Sequence, residues 1–71
     1  MRFAILLLII NLNTATPAEL QHLPGIGPAL AKRIVAFREK QHGFKRVEEL
    51  LAIPGISEKK WKQIRDLVEV K

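Results

Sequence analysis

The sequence contains no cysteine, which rules out disulfides and thiolate metal sites as supports for this 71-residue chain. Asp66 is the only aspartate, and most glutamates stand at helical or capping positions. A metal-dependent nuclease needs converging carboxylates, which this pattern does not supply. His22 and His42 have no companion ligands, so solvated side chains are favoured over metal ligands. The sequence therefore predicts a non-enzymatic domain with no metal and no cofactor.

Long apolar runs are also absent, apart from eight residues at positions 3–10. A membrane-spanning helix needs about 20 apolar residues, so this run cannot cross a bilayer. Its length and the preceding Arg2 match the hydrophobic part of a signal peptide, but no clear small-residue cleavage site follows. Three interpretations of residues 1–10 stay open: the stub of a longer export signal or anchor, a short uncleaved signal, or an apolar strip packed on the domain. We favour the stub, because the run has no helical periodicity.

Acidic residues are outnumbered, with 12 Lys and Arg against 7 Asp and Glu and a net charge of +5. A basic surplus on a small domain favours a polyanionic partner, either nucleic acid or an anionic membrane surface. Charge alone does not choose between them, and many small basic proteins bind neither.

The most informative feature present is an internal repeat with a period of thirty residues. Pro24-Gly25-Ile26 aligns with Pro54-Gly55-Ile56, and Glu19-Leu20 aligns with Glu49-Leu50. The further aligned pairs are Leu23 with Ile53, Gly27 with Ser57, Lys32 with Lys62, and Ile34 with Ile64. A short helix, a turn and a longer helix have been used twice. The repeat predicts an all-α domain over residues 11–71, in which two pseudo-symmetric helical hairpin units pack as a compact four- to five-helix body.

Local chemistry places the helix ends. Thr16-Pro17-Ala18-Glu19 combines a hydroxyl N-cap, a first-position proline and a glutamate in a capping box, which predicts helix 1 over residues 17–23. Pro28 starts helix 2, which should reach about residue 41 with Gly43 as its cap. Helices 3 and 4 are expected over residues 47–52 and 58–70. The two long helices should enclose Leu20, Leu23, Leu50 and Ile53, with Trp61 packed in the core rather than free to stack on a base.

The two Pro-Gly-Ile turns precede the long helices, where backbone N–H groups have no intrahelical partner. The helix dipole adds positive partial charge there, so phosphate is a natural ligand. Gly25 and Gly27 allow close approach to the backbone, while Ile26 and Ile56 should turn inward as anchors. The expected amide donors belong to Gly27, Ala29, Leu30, Ser57, Lys59 and Lys60, with the Ser57 hydroxyl as a further contact or as the helix cap. The alternative is that both turns are purely structural. Because the turn occurs twice and cations follow each copy, phosphate binding is favoured over that alternative.

The stretch from Leu23 to Ile34, Leu-Pro-Gly-Ile-Gly-Pro-Ala-Leu-Ala-Lys-Arg-Ile, resembles the helix-hairpin-helix motif of DNA-binding proteins. From Ile-Asn-Leu-Asn-Thr-Ala at residues 10–15 to residue 70, the chain resembles the C-terminal domain of the ComEA-type competence DNA receptors. The resemblance implies non-sequence-specific binding of double-stranded DNA, with the hairpins on phosphates of both strands across the minor groove. By position, the implied contacts are Gly25, Ile26, Gly27, Lys32, Gly55, Ile56, Ser57 and Lys60.

The residue and family arguments together give one predicted DNA-binding set: Gly25, Ile26, Gly27, Ala29, Lys32, Arg33, Gly55, Ile56, Ser57, Lys59, Lys60 and Lys62. Ser57 replaces the family's second glycine, and we expect it to strain or weaken that hairpin. We therefore expect glycine substitutions to weaken DNA binding most in the first hairpin. Charge reversals should weaken it most in the second hairpin, which is followed by more lysines.

The resemblance also implies a role in bacterial competence and DNA uptake. An export signal in residues 1–10 would place the chain outside the cytoplasm or at the membrane, in contact with membrane or export machinery; otherwise a cytoplasmic location is expected. Two alternatives stay open: a structural or protein-interaction helical module, and the detached DNA-positioning domain of a repair enzyme. Oligomeric state is left open by the sequence.

Overall fold

The computed structural model describes residues 9–71, and the predictions for residues 1–8 lie outside that range. The elements in chain order are β1 (Ile10–Asn11), α1 (Pro17–Leu20), α2 (Pro28–Lys40), a 3₁₀ helix (Val47–Ala52), α3 (Glu58–Ile64), a 3₁₀ turn (Arg65–Leu67) and β2 (Val68–Glu69). The predicted repeat of a short helix, a turn and a longer helix is confirmed. Across residues 9–71, no helix combines the length and apolar character needed to cross a bilayer.

The first helix begins as predicted and ends earlier. Thr16 Oγ1 accepts a hydrogen bond from Glu19 N at 3.1 Å, and the Glu19 carboxylate accepts one from Thr16 N at 2.8 Å. This capping box satisfies two backbone donors at the start of α1. The helix stops at Leu20 rather than at Leu23, because Leu23 N bonds to Leu20 O at 3.1 Å and tightens the chain into the following turn.

Helix α2 ends at Lys40 in a Schellman motif. Gly43 N donates to Arg38 O at 2.8 Å, and His42 N donates to Glu39 O at 3.4 Å. His42 itself takes the left-handed position, with φ of 59°, and Gly43 follows with φ of 101°. The prediction of Gly43 as the cap was therefore one residue late: His42 reverses the chain and Gly43 completes the motif.

The prediction that the last helix reaches residue 70 was wrong. Helix α3 ends at Ile64, and the chain then passes through the 3₁₀ turn into β2. Strand β2 runs parallel to β1, with Ile10 opposite Val68 and Asn11 opposite Glu69. The apolar spacing of residues 65–70 suits a helix. However, residues 10–11 offer backbone hydrogen-bond partners to this segment, and the buried, β-branched Val68 packs well in a strand. Ile10, assigned from sequence to the apolar N-terminal segment, thus belongs to the fold.

One apolar core joins both repeats and the two strands. It comprises Leu12, Ala15, Leu20, Leu23, Ile26, Ala31, Ile34, Phe44, Leu50, Ile53, Ile56, Ile64 and Val68. The prediction that Leu20, Leu23, Leu50 and Ile53 are enclosed is confirmed. Trp61 is half-buried against this core and its Nε1 donates to Val47 O at 3.2 Å, which agrees with a packing role.

The side chains of Asn13 and Arg38 hold the N-terminal segment at residues 10–15, called the lead-in below, against the rest of the domain. Asn13 accepts from Phe44 N at 2.6 Å and donates to Phe44 O and to Lys71 O, each at 3.0 Å. Arg38 donates to Leu12 O at 3.0 Å and to Ala15 O at 2.8 Å. Since these acceptors lie 23 to 58 residues away in sequence, no local pattern marked either role.

We predict that Arg38→Met lowers the free energy of unfolding by about 1–3 kcal/mol, because two backbone carbonyls lose a charged donor. The Arg38 side chain is only 15% exposed, so water replaces that donor poorly. Urea unfolding followed by circular dichroism measures the loss. Lys40→Met, at an exposed position of the same helix, is the control and should change stability by less than about 0.5 kcal/mol. Similar losses in both variants would contradict the fastening role.

Candidate nucleic-acid interface

The two turns have matching backbone geometry. Ile26 N donates to Leu23 O and Ile56 N donates to Ile53 O, both at 3.1 Å. Gly25 and Gly55 have φ of 76° and 99°, a conformation that other residues adopt only with strain. Both isoleucines are buried, as predicted, so each turn is anchored by its apolar side chain while its glycine stays exposed.

The helix that follows each turn begins differently in the two units. Gly27 has φ of −95° and ψ of −171°, and its helix has no side-chain cap. Ser57 has φ of −79° and ψ of 166°, and its Oγ accepts from Lys60 N at 3.1 Å. Both are extended conformations that any residue adopts. The expectation that Ser57 strains the second hairpin was therefore wrong, whereas the expectation that its hydroxyl caps the helix is confirmed.

This difference changes the set of available amides. In the first unit the earliest helical bond is Ala31 N to Gly27 O, which leaves the N–H groups of Gly27, Ala29 and Leu30 without a protein acceptor among residues 9–71. In the second, the Lys60 N–H is occupied by Ser57. The Lys60 N–H, predicted as a phosphate donor, therefore already has an acceptor in this structure, whereas the other predicted amides have none among residues 9–71; their contacts with phosphate stay predictions.

The first turns of the two long helices also differ in charge. Helix α2 has no acidic residue there, whereas α3 begins with Glu58. A carboxylate beside exposed amides repels an incoming anion and competes for the same positive potential. The first hairpin is thus the better anion site on two counts, its uncapped amides and its lack of a carboxylate. The difference in charge was visible in the repeat alignment, since Glu58 aligns with Pro28.

The five predicted hairpin cations separate into two groups. Lys32, Lys59 and Lys62 are exposed and make no ion pair within the described part of the chain. Arg33 is also exposed, but its guanidinium donates to Pro54 O at 2.9 Å, and the half-buried Lys60 donates from Nζ to Gly25 O at 3.0 Å. The last two therefore reach from one hairpin to the turn of the other.

The same crossing is seen in the packing. A methyl group built on Gly55 would lie 2.6 Å from Leu30 Cδ2, and one built on Gly25 would lie 3.2 Å from Lys60 Cε. Leu30 and Lys60 occupy equivalent positions of the repeat. Each unit therefore lays the same position across the other unit's turn glycine, and the approximate internal two-fold symmetry places the two turns side by side.

The role of the glycines follows from these contacts. Gly55 leaves room for Leu30, a branched side chain that is partly buried against the core. Gly25 instead faces the flexible end of the Lys60 side chain. Nothing lies within 4 Å of a methyl group built on Gly27. For the fold, the most demanding glycine is therefore in the second hairpin. The expectation that glycine substitutions weaken DNA binding most in the first hairpin concerns phosphate approach and stays a prediction.

The model of the helix-hairpin-helix motif family matches residues 8–69. This chain belongs to the helix-hairpin-helix family. The match covers both repeat units and the lead-in, and so it includes every residue of the predicted DNA-binding set.

Curated relatives contain the same domain within longer proteins. The ComE operon protein 1 of Bacillus subtilis is 40% identical over 63 residues, which are 89% of this chain and 31% of that protein. The human endonuclease/exonuclease/phosphatase family domain-containing protein 1 is 45% identical over 56 residues, 79% of this chain and 10% of that protein. The chain thus spans a third or less of these two relatives. The resemblance to a ComEA-type domain is confirmed by the first of them.

We predict that Gly55→Ala and Gly25→Ala differ in their effect on stability. Both add a methyl group at positive φ, which costs about 1–2 kcal/mol. At Gly55 the methyl also overlaps Leu30, so the total loss should reach about 2–4 kcal/mol, because branched core-margin side chains yield poorly. Thermal and urea unfolding of the two variants compare the losses directly. Equal losses would mean that Leu30 moves aside freely and that the packing contact has no role.

Proposed function

We propose that this domain binds double-stranded DNA through backbone phosphates and without reading base sequence. The observation that carries the proposal is the pair of exposed turns held side by side, each followed by backbone N–H groups that have no protein acceptor within residues 9–71. Such groups bind anions, and helix-hairpin-helix membership makes phosphate the expected one. Lys32, Lys59 and Lys62 supply mobile positive charge around the turns.

A duplex suits the symmetry of this surface. The two strands of DNA are related by two-fold axes across the grooves, and the two turns are related by an approximate two-fold axis of the protein. Matching the axes lets one hairpin bind each strand, as dimeric DNA-binding proteins match two half-sites. The proposed phosphate contacts are the amides of Gly27, Ala29, Leu30, Ser57 and Lys59, with Gly25 and Gly55 allowing close approach.

The groups around the two turns are of a kind that does not read base sequence. Amides and lysines bind phosphate oxygens, which carry no sequence information. Trp61, the aromatic side chain best suited to stacking, is half-buried and hydrogen-bonded to Val47 O. Within residues 9–71, no three His, Cys, Asp or Glu side chains group to hold a metal ion. We therefore infer a binding module without catalytic activity of its own.

The biological setting that we propose is bacterial DNA uptake, outside the cytoplasm. It is supported by 40% identity to a ComE operon protein and by the apolar run at positions 3–10, which suits an export signal. The second candidate is a DNA-positioning domain of a larger enzyme. It is supported by 45% identity to part of a protein that is named for an endonuclease/exonuclease/phosphatase family domain.

We predict that two unrelated duplexes bind with similar affinity and with a steep salt dependence. If about four to six phosphates are engaged, the slope of log K against log salt should be about −4 to −5. Fluorescence anisotropy at several salt concentrations measures both quantities. A protein-interaction module would give no binding at low salt or a flat response, and a base-reading domain would separate the two duplexes.

We predict opposite effects for the exchange variants Gly27→Ser and Ser57→Gly. A serine at 27 caps the Leu30 N–H, so it should stabilise the fold by a few tenths of a kcal/mol and yet weaken duplex binding by about 3- to 10-fold. A glycine at 57 releases the Lys60 N–H and should do the reverse. Unfolding curves and anisotropy on the same samples test the pair. Affinity that rises and falls with stability would contradict a role for uncapped amides in binding.

A further inference from the structure

We propose that Arg33 and Lys60 are positioning residues, which fix the distance between the two hairpins instead of binding phosphate. The proposal rests on the proposed DNA-binding function and assigns these two cations a different role within it. It separates them from Lys32, Lys59 and Lys62, although all five look alike in sequence as basic residues that follow a turn.

The first support is the direction of the two hydrogen bonds. Arg33, in the first unit, donates to Pro54 O in the second turn at 2.9 Å. Lys60, in the second unit, donates to Gly25 O in the first turn at 3.0 Å. The bonds run in opposite directions and span 21 and 35 residues of sequence, so together they tie the turns from both sides.

The second support is that the Lys60 stem is held as well as its head. Its Cε and Cδ lie 3.2 and 3.7 Å from the position of a methyl group on Gly25. Lys60 is half-buried there, whereas Lys59 and Lys62 are exposed and form no hydrogen bond or ion pair through their side chains within residues 9–71. A side chain held along its stem and at its tip is less free to follow a phosphate than its neighbours are.

The consequence for binding is a preset spacing between two phosphate sites. When two sites are rigidly joined, the second contact forms without a further ordering cost, and the gain is lost if the join becomes loose. A duplex has fixed distances between its strands and needs that spacing. A flexible single strand can adapt to either geometry, so the ratio of the two affinities reports on the join.

We test this with Arg33→Met and Lys60→Met, and with Lys59→Met and Lys62→Met as matched controls. Methionine keeps an apolar stem and removes the donor. In the controls, loss of a phosphate contact should reduce the salt slope by about 0.9 and weaken duplex and single-strand binding together. In the two positioning variants, duplex affinity should fall about 5- to 10-fold, whereas single-strand affinity should fall less than about 2-fold. The salt slope of these variants should decrease by less than half of the decrease seen in the controls. Lys60→Arg, which restores a donor, should recover most of the duplex affinity.

A second readout needs no DNA. The amide of Ile26 shares a peptide group with Gly25 O, and the amide of Gly55 shares one with Pro54 O, so Lys60→Met should move the first NMR resonance and Arg33→Met the second. Lys59→Met and Lys62→Met should move neither. Each positioning variant should also lower the Tm by about 2–6 °C.

The outcomes separate the two proposals. Slope losses equal to the controls, with Ile26 and Gly55 resonances unmoved, would make Arg33 and Lys60 phosphate ligands and overturn the inference. Moved resonances and a lowered Tm in a wild-type protein that binds no duplex would overturn the DNA-binding proposal and leave only the tie between the turns. Duplex-selective losses with moved resonances support both.

Discussion

Neither half of this chain can bury its apolar side chains by itself. A unit of about thirty residues, made of one short and one longer helix, leaves one face of the helices uncovered. Pairing two such units covers both faces at once, and the shared core contains equivalent residues from each, such as Leu20 with Leu50 and Ile34 with Ile64. The proximity of the two turns is a consequence of that pairing, since both turns are anchored in the same core by Ile26 and Ile56.

The lead-in, residues 10–15, then packs on the paired units and is held by contacts with both of them. The lead-in crosses the core with Leu12 and Ala15, and it is held by Asn13 and Arg38 at one end and by β2 at the other. These contacts are polar and specific in geometry, whereas the core contacts are apolar and tolerant. The apolar core therefore sets how the units pair, and the polar contacts fix where the remaining chain lies on them.

The sequence predicted most of the features that depend on near neighbours. The capping box at Thr16, the start of α2 at Pro28 and the inward isoleucines follow from residues within a turn or two, and all were confirmed. The misplaced cap at Gly43 and the Lys60 amide occupied by Ser57 were local errors, but the larger errors came from distant partners. Residues 65–70 fit a helix until Ile10 pairs with Val68. Arg33 and Lys60 read as surface cations because their acceptors, Pro54 O and Gly25 O, are neighbours only in the folded chain.

The short parallel strand pair has a consequence for how the domain is used in longer chains. Because β1 and β2 are parallel neighbours, the chain enters at one end of the strand pair, at Ile10, and leaves at the other end, after Glu69, where Asn13 holds Lys71 O. A domain whose first and last strands lie side by side can be joined to a tether or to a second domain without repacking of its core. Matched segments of 63 and 56 residues make up 31% of one relative and 10% of another, so similar domains stand in chains of very different length.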